Sequence, residues 1–89
     1  MTEINNTERF RPGMLARSKA GHDTGNVYVI SKIDGAYVYL VDGKIRTFDK
    51  PKKKKKKHIQ IICREYDIAG ATDVDIKRYI KEWNKEEEK

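Results

Sequence analysis

The sequence predicts a mainly β domain, a small closed barrel of five strands with one α-helix after it. Three observations carry this expectation. Short apolar or mixed runs recur between residues 14 and 62, Gly-containing turn signals separate several of them, and an apolar period of the helical kind emerges only after residue 72. At 89 residues the chain has room for one domain with one small core. Hydrophobic residues make up 37% and charged residues 38%, a balance poorer in apolar groups than typical globular domains, so modest stability is expected.

Residues 1–11 carry only Ile4 and Phe10 as large apolar side chains and are expected to be a disordered N-terminal segment. Pro12-Gly13 marks the turn into the barrel, which is expected over 12–64. Its runs are MLARS (14–18), NVYVISKI (26–33), AYVYLVD (36–42), KIRTF (44–48) and HIQII (58–62). Asp34-Gly35 and Asp42-Gly43 suit two-residue type I′ turns, because Asp and Gly tolerate positive φ at both central positions. The second, third and fourth runs are therefore expected to form an antiparallel meander across 26–48. Both parities of these runs are partly apolar. A closed barrel explains that better than an open half-exposed sheet, and leaves open which parity faces inward.

Residues 65–89 hold a connector and the C-terminal helix, expected at 73–84. Thr72 is a candidate N-cap with Asp75 three residues on, a weaker variant of the capping box, and Asp73 and Asp75 suit the positive end of the helix dipole. Ile76, Tyr79, Ile80 and Trp83 form one apolar stripe, either core or a docking face. Glu86, Glu87 and Glu88 place negative charge at the unfavourable end of the dipole and are expected to fray.

The formal charge of +6 is concentrated. Residues 50–64 hold eight basic groups and no acid, whereas residues 1–49 are nearly neutral and residues 65–89 are net acidic. The centre of the patch is KPKKKKKKHIQII, residues 50–62. Such a patch attracts polyanions, most often nucleic acid. The bland alternatives are a solvated, self-repelling segment or a nuclear import signal. Import fits poorly because the run lies between two expected strands, as a basic loop at 50–57 anchored at both ends. Anchoring lowers the entropy lost on binding, and phosphates relieve the repulsion between adjacent ammonium groups.

Other chemistry is not supported. The single cysteine, Cys63, cannot form an intramolecular disulfide, and it reads as a small buried hydrophobe at a strand end. His58 with Cys63, or Ser18 with His22 and Asp23, lack catalytic or metal-ligand spacing. No enzyme, metal, cofactor or small-molecule substrate is expected. The N-terminus has no apolar core of a signal peptide and no run approaches a membrane span, so the expectation is a soluble cytoplasmic protein without a membrane partner.

Between the first two runs lies KAGHDTGN, residues 19–26, a loop framed by Gly21 and Gly25 with His22, Asp23 and Thr24 at its tip. Strand, Gly-x-x-x-Gly loop and alternating strand, over roughly 13–41, resemble the KOW motif of ribosomal proteins and transcription elongation factors. YLVDGKIRTF, a basic segment and HIQI are similar to the second half of the KOW-type large-subunit ribosomal protein of archaea and eukaryotes. The chain looks most like short bacterial KOW domain-containing RNA-binding proteins, well over 12–62 and more loosely over 73–84. The resemblance implies an SH3-like five-stranded barrel that binds RNA, with ribosomal RNA as the target class and ribosomal proteins as further partners in translation. Many relatives carry basic residues where this chain has Thr24 and Asn26, so the lysine run is expected to carry a larger share of phosphate contact.

The candidate RNA-binding residues are Lys50, Lys52, Lys53, Lys54, Lys55, Lys56, Lys57 and His58, with Arg17, Lys19, His22 and Arg46 as secondary candidates. Lysine is a point charge without the planar fork of arginine, which suits backbone contact more than base reading. Few exposed aromatics accompany the run, so the sequence favours backbone recognition of structured RNA over single-strand stacking. Tyr28, Tyr37 and Tyr39 are candidates for stacking on bases, but most of them are expected to pack the barrel. Replacing the six lysines is expected to leave the fold intact. The alternative function is an SH3-like protein-interaction module, with the helix stripe as its docking face.

Overall fold

The computed structural model describes residues 10–87. Its elements are β1 (Met14–Ser18), β2 (Val27–Asp34), β3 (Tyr37–Val41), β4 (Lys52–Lys55), β5 (Ile59–Glu65) and α1 (Asp73–Glu87), with a 3₁₀ turn over Lys56–His58 between β4 and β5. The five strands form one open antiparallel sheet in the order β4-β3-β2-β1-β5. Laid flat, such a sheet would hold its edge strands about 19 Å apart, at about 4.8 Å per neighbour. Only three residues of tight turn join those edges here. The Lys56 N–H donates to the Ala36 carbonyl at 2.8 Å and the Lys19 N–H donates to the His58 carbonyl at 2.8 Å, tying the turn to both sides. The sheet is therefore strongly curled, and its shape is barrel-like.

Both faces contribute buried residues, covered by different partners. Inside the curl lie Met14, Ala16, Tyr28, Ile30, Val38, Leu40 and Ile59, with Phe10, Ile33 and Ile61 packed against them. Outside it, Leu15, Val29 and Val41 pack under Ile76 and Trp83 of the helix. A bulge in β2 explains the imperfect alternation. Ile30 pairs with Leu40, but Lys32 pairs with Tyr39 and Ile33 with Val38, so one extra residue switches parity. Ile30 and Ile33, three apart, both serve the interior.

Several expectations need correction. Residues 44–48 are not the fourth strand. Asp42 Oδ1 accepts from the backbone N–H of Lys44 and of Arg46, each at 2.9 Å, and Asp73 Oδ1 accepts from the Phe48 N–H at 2.9 Å. With its backbone bonds met locally and by the helix start, this segment is a loop, and the third strand of the meander is β4. The β2–β3 connection is the pair Gly35-Ala36, with Asp34 already in register opposite Tyr37; positive φ occurs at Gly35 (60°) and not at Ala36, the type II′ pattern rather than I′. β5 runs on to Glu65, and Cys63 on it is exposed rather than buried. The described part of the N-terminal segment is placed by contacts: Phe10 packs on the core and Arg11 pairs with Glu65 at 2.8 Å. The rest of that expectation, residues 1–9, lies outside the described residues.

The helix begins as a reciprocal capping box. The Asp75 N–H donates to Thr72 Oγ1 at 3.3 Å and the Thr72 N–H donates to Asp75 Oδ2 at 3.0 Å. Its stripe is core: Ile76 and Trp83 are buried, Tyr79 and Ile80 partly so. Tyr79 stacks on Tyr66 of the connector with ring centroids 4.4 Å apart. Glu86 and Glu87 lie within α1 rather than beyond it, and Arg64 of β5 pairs with Glu86 across the helix end. Glu88 lies outside the described residues. Among the described residues, no helix is long and apolar enough to cross a membrane.

Candidate nucleic-acid interface

Six adjacent lysines repel one another, and an extended strand relieves this by sending neighbours to opposite faces. β4 pairs antiparallel with β3 in the register Lys52–Leu40, Lys53–Tyr39, Lys54–Val38 and Lys55–Tyr37. Lys52 and Lys54 thus share the inner face with Leu40 and Val38. Lys53 and Lys55 share the outer face with Tyr39 and Tyr37. The preceding Pro51 and the row of lysines also blunt an edge strand that would otherwise invite pairing with another chain. The expected basic loop is, in fact, a two-faced strand followed by a turn.

The inner lysines are held by the loop at 19–26. Gly21 and Gly25 both have positive φ, 90° and 94°, as expected for at least one of them, and the loop closes with the Gly25 N–H on the Ser18 carbonyl at 2.9 Å. This folds Asp23 inward. Lys54 Nζ donates to Asp23 Oδ1 at 2.7 Å and to the Ala20 carbonyl at 2.8 Å. Tyr28 donates to Asp23 Oδ2 at 3.1 Å, and Lys52 Nζ stands 3.8 Å from the same oxygen. The Ser18 hydroxyl has Asp23 Oδ1 at 2.9 Å and the Ala20 carbonyl at 3.1 Å within reach of its single proton. Burial pushes the Asp23 carboxyl up, but the hydrogen bonds from Lys54, Ser18 and Tyr28 and the charge of Lys54 outweigh it, holding the pKa at about 2. Burial, with the nearby Asp23 charge, pushes the Tyr28 phenol up against a smaller opposing hydrogen bond with Asn26.

This divides the candidate residues. The Lys54 side chain is only 10% exposed and donates to two acceptors of the 19–26 loop, so it is a clamp rather than a phosphate contact. Lys52 is partly drawn to the same carboxylate. Arg17 lies half-buried over the Trp83 ring at 5.3 Å, and Arg46 is half-buried in the 42–48 loop. Lys56 is half-buried over Phe10 at 5.4 Å, with His58 half-buried beside it in the 3₁₀ turn. Lys53, Lys55 and Lys57 are exposed, as are Lys19, His22 and Lys50 around the loops. The strand also gathers one cation that sequence reasoning passed over, Lys32, and sets two rings beside the lysines. Lys32 lies 5.6 Å over the Tyr39 ring, and Lys53 lies 4.5 Å over the Tyr37 ring. The break in alternation at Ser31-Lys32 was the available signal for Lys32; no local signal marked Asp23 as the partner of a lysine thirty-one positions on.

The groove along α1 is a separate feature, of about 640 Å³, lined by Asn26, Lys44, Lys77, Lys81 and Asn84 among others. Among the described residues, no group of three or more His, Cys, Asp or Glu is placed to hold a metal ion. No protein-family model matches this chain, and a search of curated proteins finds no significant relative.

Proposed function

We propose that this chain is an RNA-binding module built on an SH3-like barrel of the KOW kind, contacting the RNA backbone through the outer side of β4 and the turn that follows it. The supporting observation is the placement of Lys53, Lys55 and Lys57, all exposed, on a strand and turn whose opposite side is clamped by Asp23. A clamped strand holds its backbone, and so the attachment points of these lysines, in place before binding, so less entropy is lost on association than for a free basic tail. Lys32 extends this surface across the sheet, and Lys19, His22 and Lys50 are further exposed cationic or titratable side chains in the adjoining loops. Ribosomal RNA is the target class that the KOW resemblance implies, and translation the setting. The alternative is an SH3-like protein-interaction module; the docking face named for it, the helix stripe, packs in the core through Ile76 and Trp83.

The test is the salt dependence of RNA binding. With three to four phosphate contacts at a slope of about 0.7 each, raising salt from about 50 to 200 mM should weaken binding about 20- to 50-fold. Replacing Lys53, Lys55 and Lys57 together with glutamine should flatten most of that slope while leaving the melting temperature nearly unchanged. A triple variant with the affinity and slope of the parent would refute the assignment of the surface.

A further inference from the structure

We infer that Tyr37 and Tyr39 form a stacking platform for unpaired nucleotides, so that the RNA this surface favours is single-stranded; the inference rests on the RNA-binding reading above. Both tyrosines are half-buried, yet neither packs in the interior of the curl or in the core under the helix. Among the described residues their hydroxyls make no hydrogen bond, unlike those of Tyr28 and Tyr66. They are not spent on packing. As residues i and i+2 of one strand they point the same way, about 6.7 Å apart along it.

The cations around them show which part of each ring is presented. Lys53 Nζ sits 4.5 Å from the Tyr37 centroid and Lys32 Nζ 5.6 Å from that of Tyr39, so the flat faces of the rings meet the cations. Across the sheet Lys32, Tyr39 and Lys53 form one row, and Asp34, Tyr37 and Lys55 form the next. Lys32 covers the ring of its own row and Lys53 reaches to the ring of the next, so each π-face has a lysine ammonium over it. That matches the repeating unit of a single strand, a base to lie on the ring and a phosphate to take the lysine as it swings aside on its flexible stem. A duplex keeps its base faces in its own stack and could use only the lysines. Asp34, at the hairpin end, repels phosphate and directs the backbone toward β4. The sequence expectation of backbone recognition over stacking followed from the scarcity of exposed aromatics beside the lysine run; in register with β3, the lysines stand against two aromatic rings.

The experiment measures binding of the full chain by fluorescence anisotropy to three labelled probes of equal length: a single-stranded uridine oligomer, an abasic ribose-phosphate oligomer, and an RNA duplex. The single strand should bind more tightly than the abasic chain by about 5- to 150-fold for each stacked base. Tyr37→Ala and Tyr39→Ala should each remove about that factor for the uridine oligomer, without altering abasic binding or the salt slope, because no charge is removed. Tyr37→Phe and Tyr39→Phe should retain it. If the unaltered protein binds the uridine and abasic oligomers equally, or if both alanine variants bind as the parent does, the platform is refuted while salt-dependent RNA binding stands. If none of the three probes binds, the proposed function falls, and the platform with it. The comparison among probes uses the unaltered protein, so a poorly folding variant cannot rescue the inference.

Discussion

On the outer face of the sheet, the half formed by β1, the start of β2 and the end of β3 lies under α1, whereas the half formed by the end of β2, the start of β3 and β4 has no helix over it among the described residues. The covered half presents Leu15, Val29 and Val41 to Ile76 and Trp83. The open half presents Lys32, Tyr37, Tyr39, Lys53 and Lys55. A single helix brings one apolar stripe, and the chain supplies apolar partners only where that stripe reaches. Elsewhere it uses side chains with an apolar stem or ring and a polar end, which can face water without a covering layer. One face therefore carries both a core and a charged aromatic surface, and substitutions on the two halves should separate stability from binding.

The largest contrast is expected at Trp83, buried with Arg17 over its ring. Trp83→Ala should cost about 3–5 kcal/mol in urea unfolding, a large share of a small domain's stability. A variant that melts like the parent would place Trp83 on a docking face and erase the distinction between the halves.

Next is a contrast within β4 itself. Lys54→Gln leaves the Asp23 carboxylate short of its closest partner and should cost about 2–3 kcal/mol. Lys53→Gln, one residue away on the open side, should change stability by less than about 0.5 kcal/mol. Equal effects of the two in chemical denaturation would contradict the assigned parity. The same clamp corrects the expectation that all six lysines can be replaced without cost to the fold.

The smallest effect is a pH dependence. The Asp23 carboxyl is lowered from 3.8 to about 2 in the folded chain, so the unfolded chain binds a proton first as pH falls. The stabilisation is fully present above about pH 4 and is lost as pH drops toward 2, about 2 kcal/mol in all. Asp75, lowered by its hydrogen bonds to Thr72 despite an opposing effect of burial and helped by Arg78, contributes in the same direction. The difference between the parent and Asp23→Asn isolates the clamp. If both lose stability identically between pH 4 and 2, Asp23 is not held as described.

Much of this architecture is legible in local pattern. β1, the β2–β3 hairpin, the Thr72 cap and the helix stripe each follow from features a few residues apart, where propensity, turn chemistry and period agree. The concentration of positive charge is equally plain. What only the tertiary structure decided is the partner of β3 and the facing of the lysines. KIRTF has the better strand composition, but Asp42 and Asp73 satisfy its backbone in a loop, leaving the edge of β3 to the lysines. A run of identical side chains contains no alternation, so nothing within it distinguishes Lys53 from Lys54. That distinction comes from Asp23, thirty-one residues earlier in the chain, which the 19–26 loop folds against one side of the strand. Register is a long-range property, and a uniform segment acquires it only from the groups it packs against.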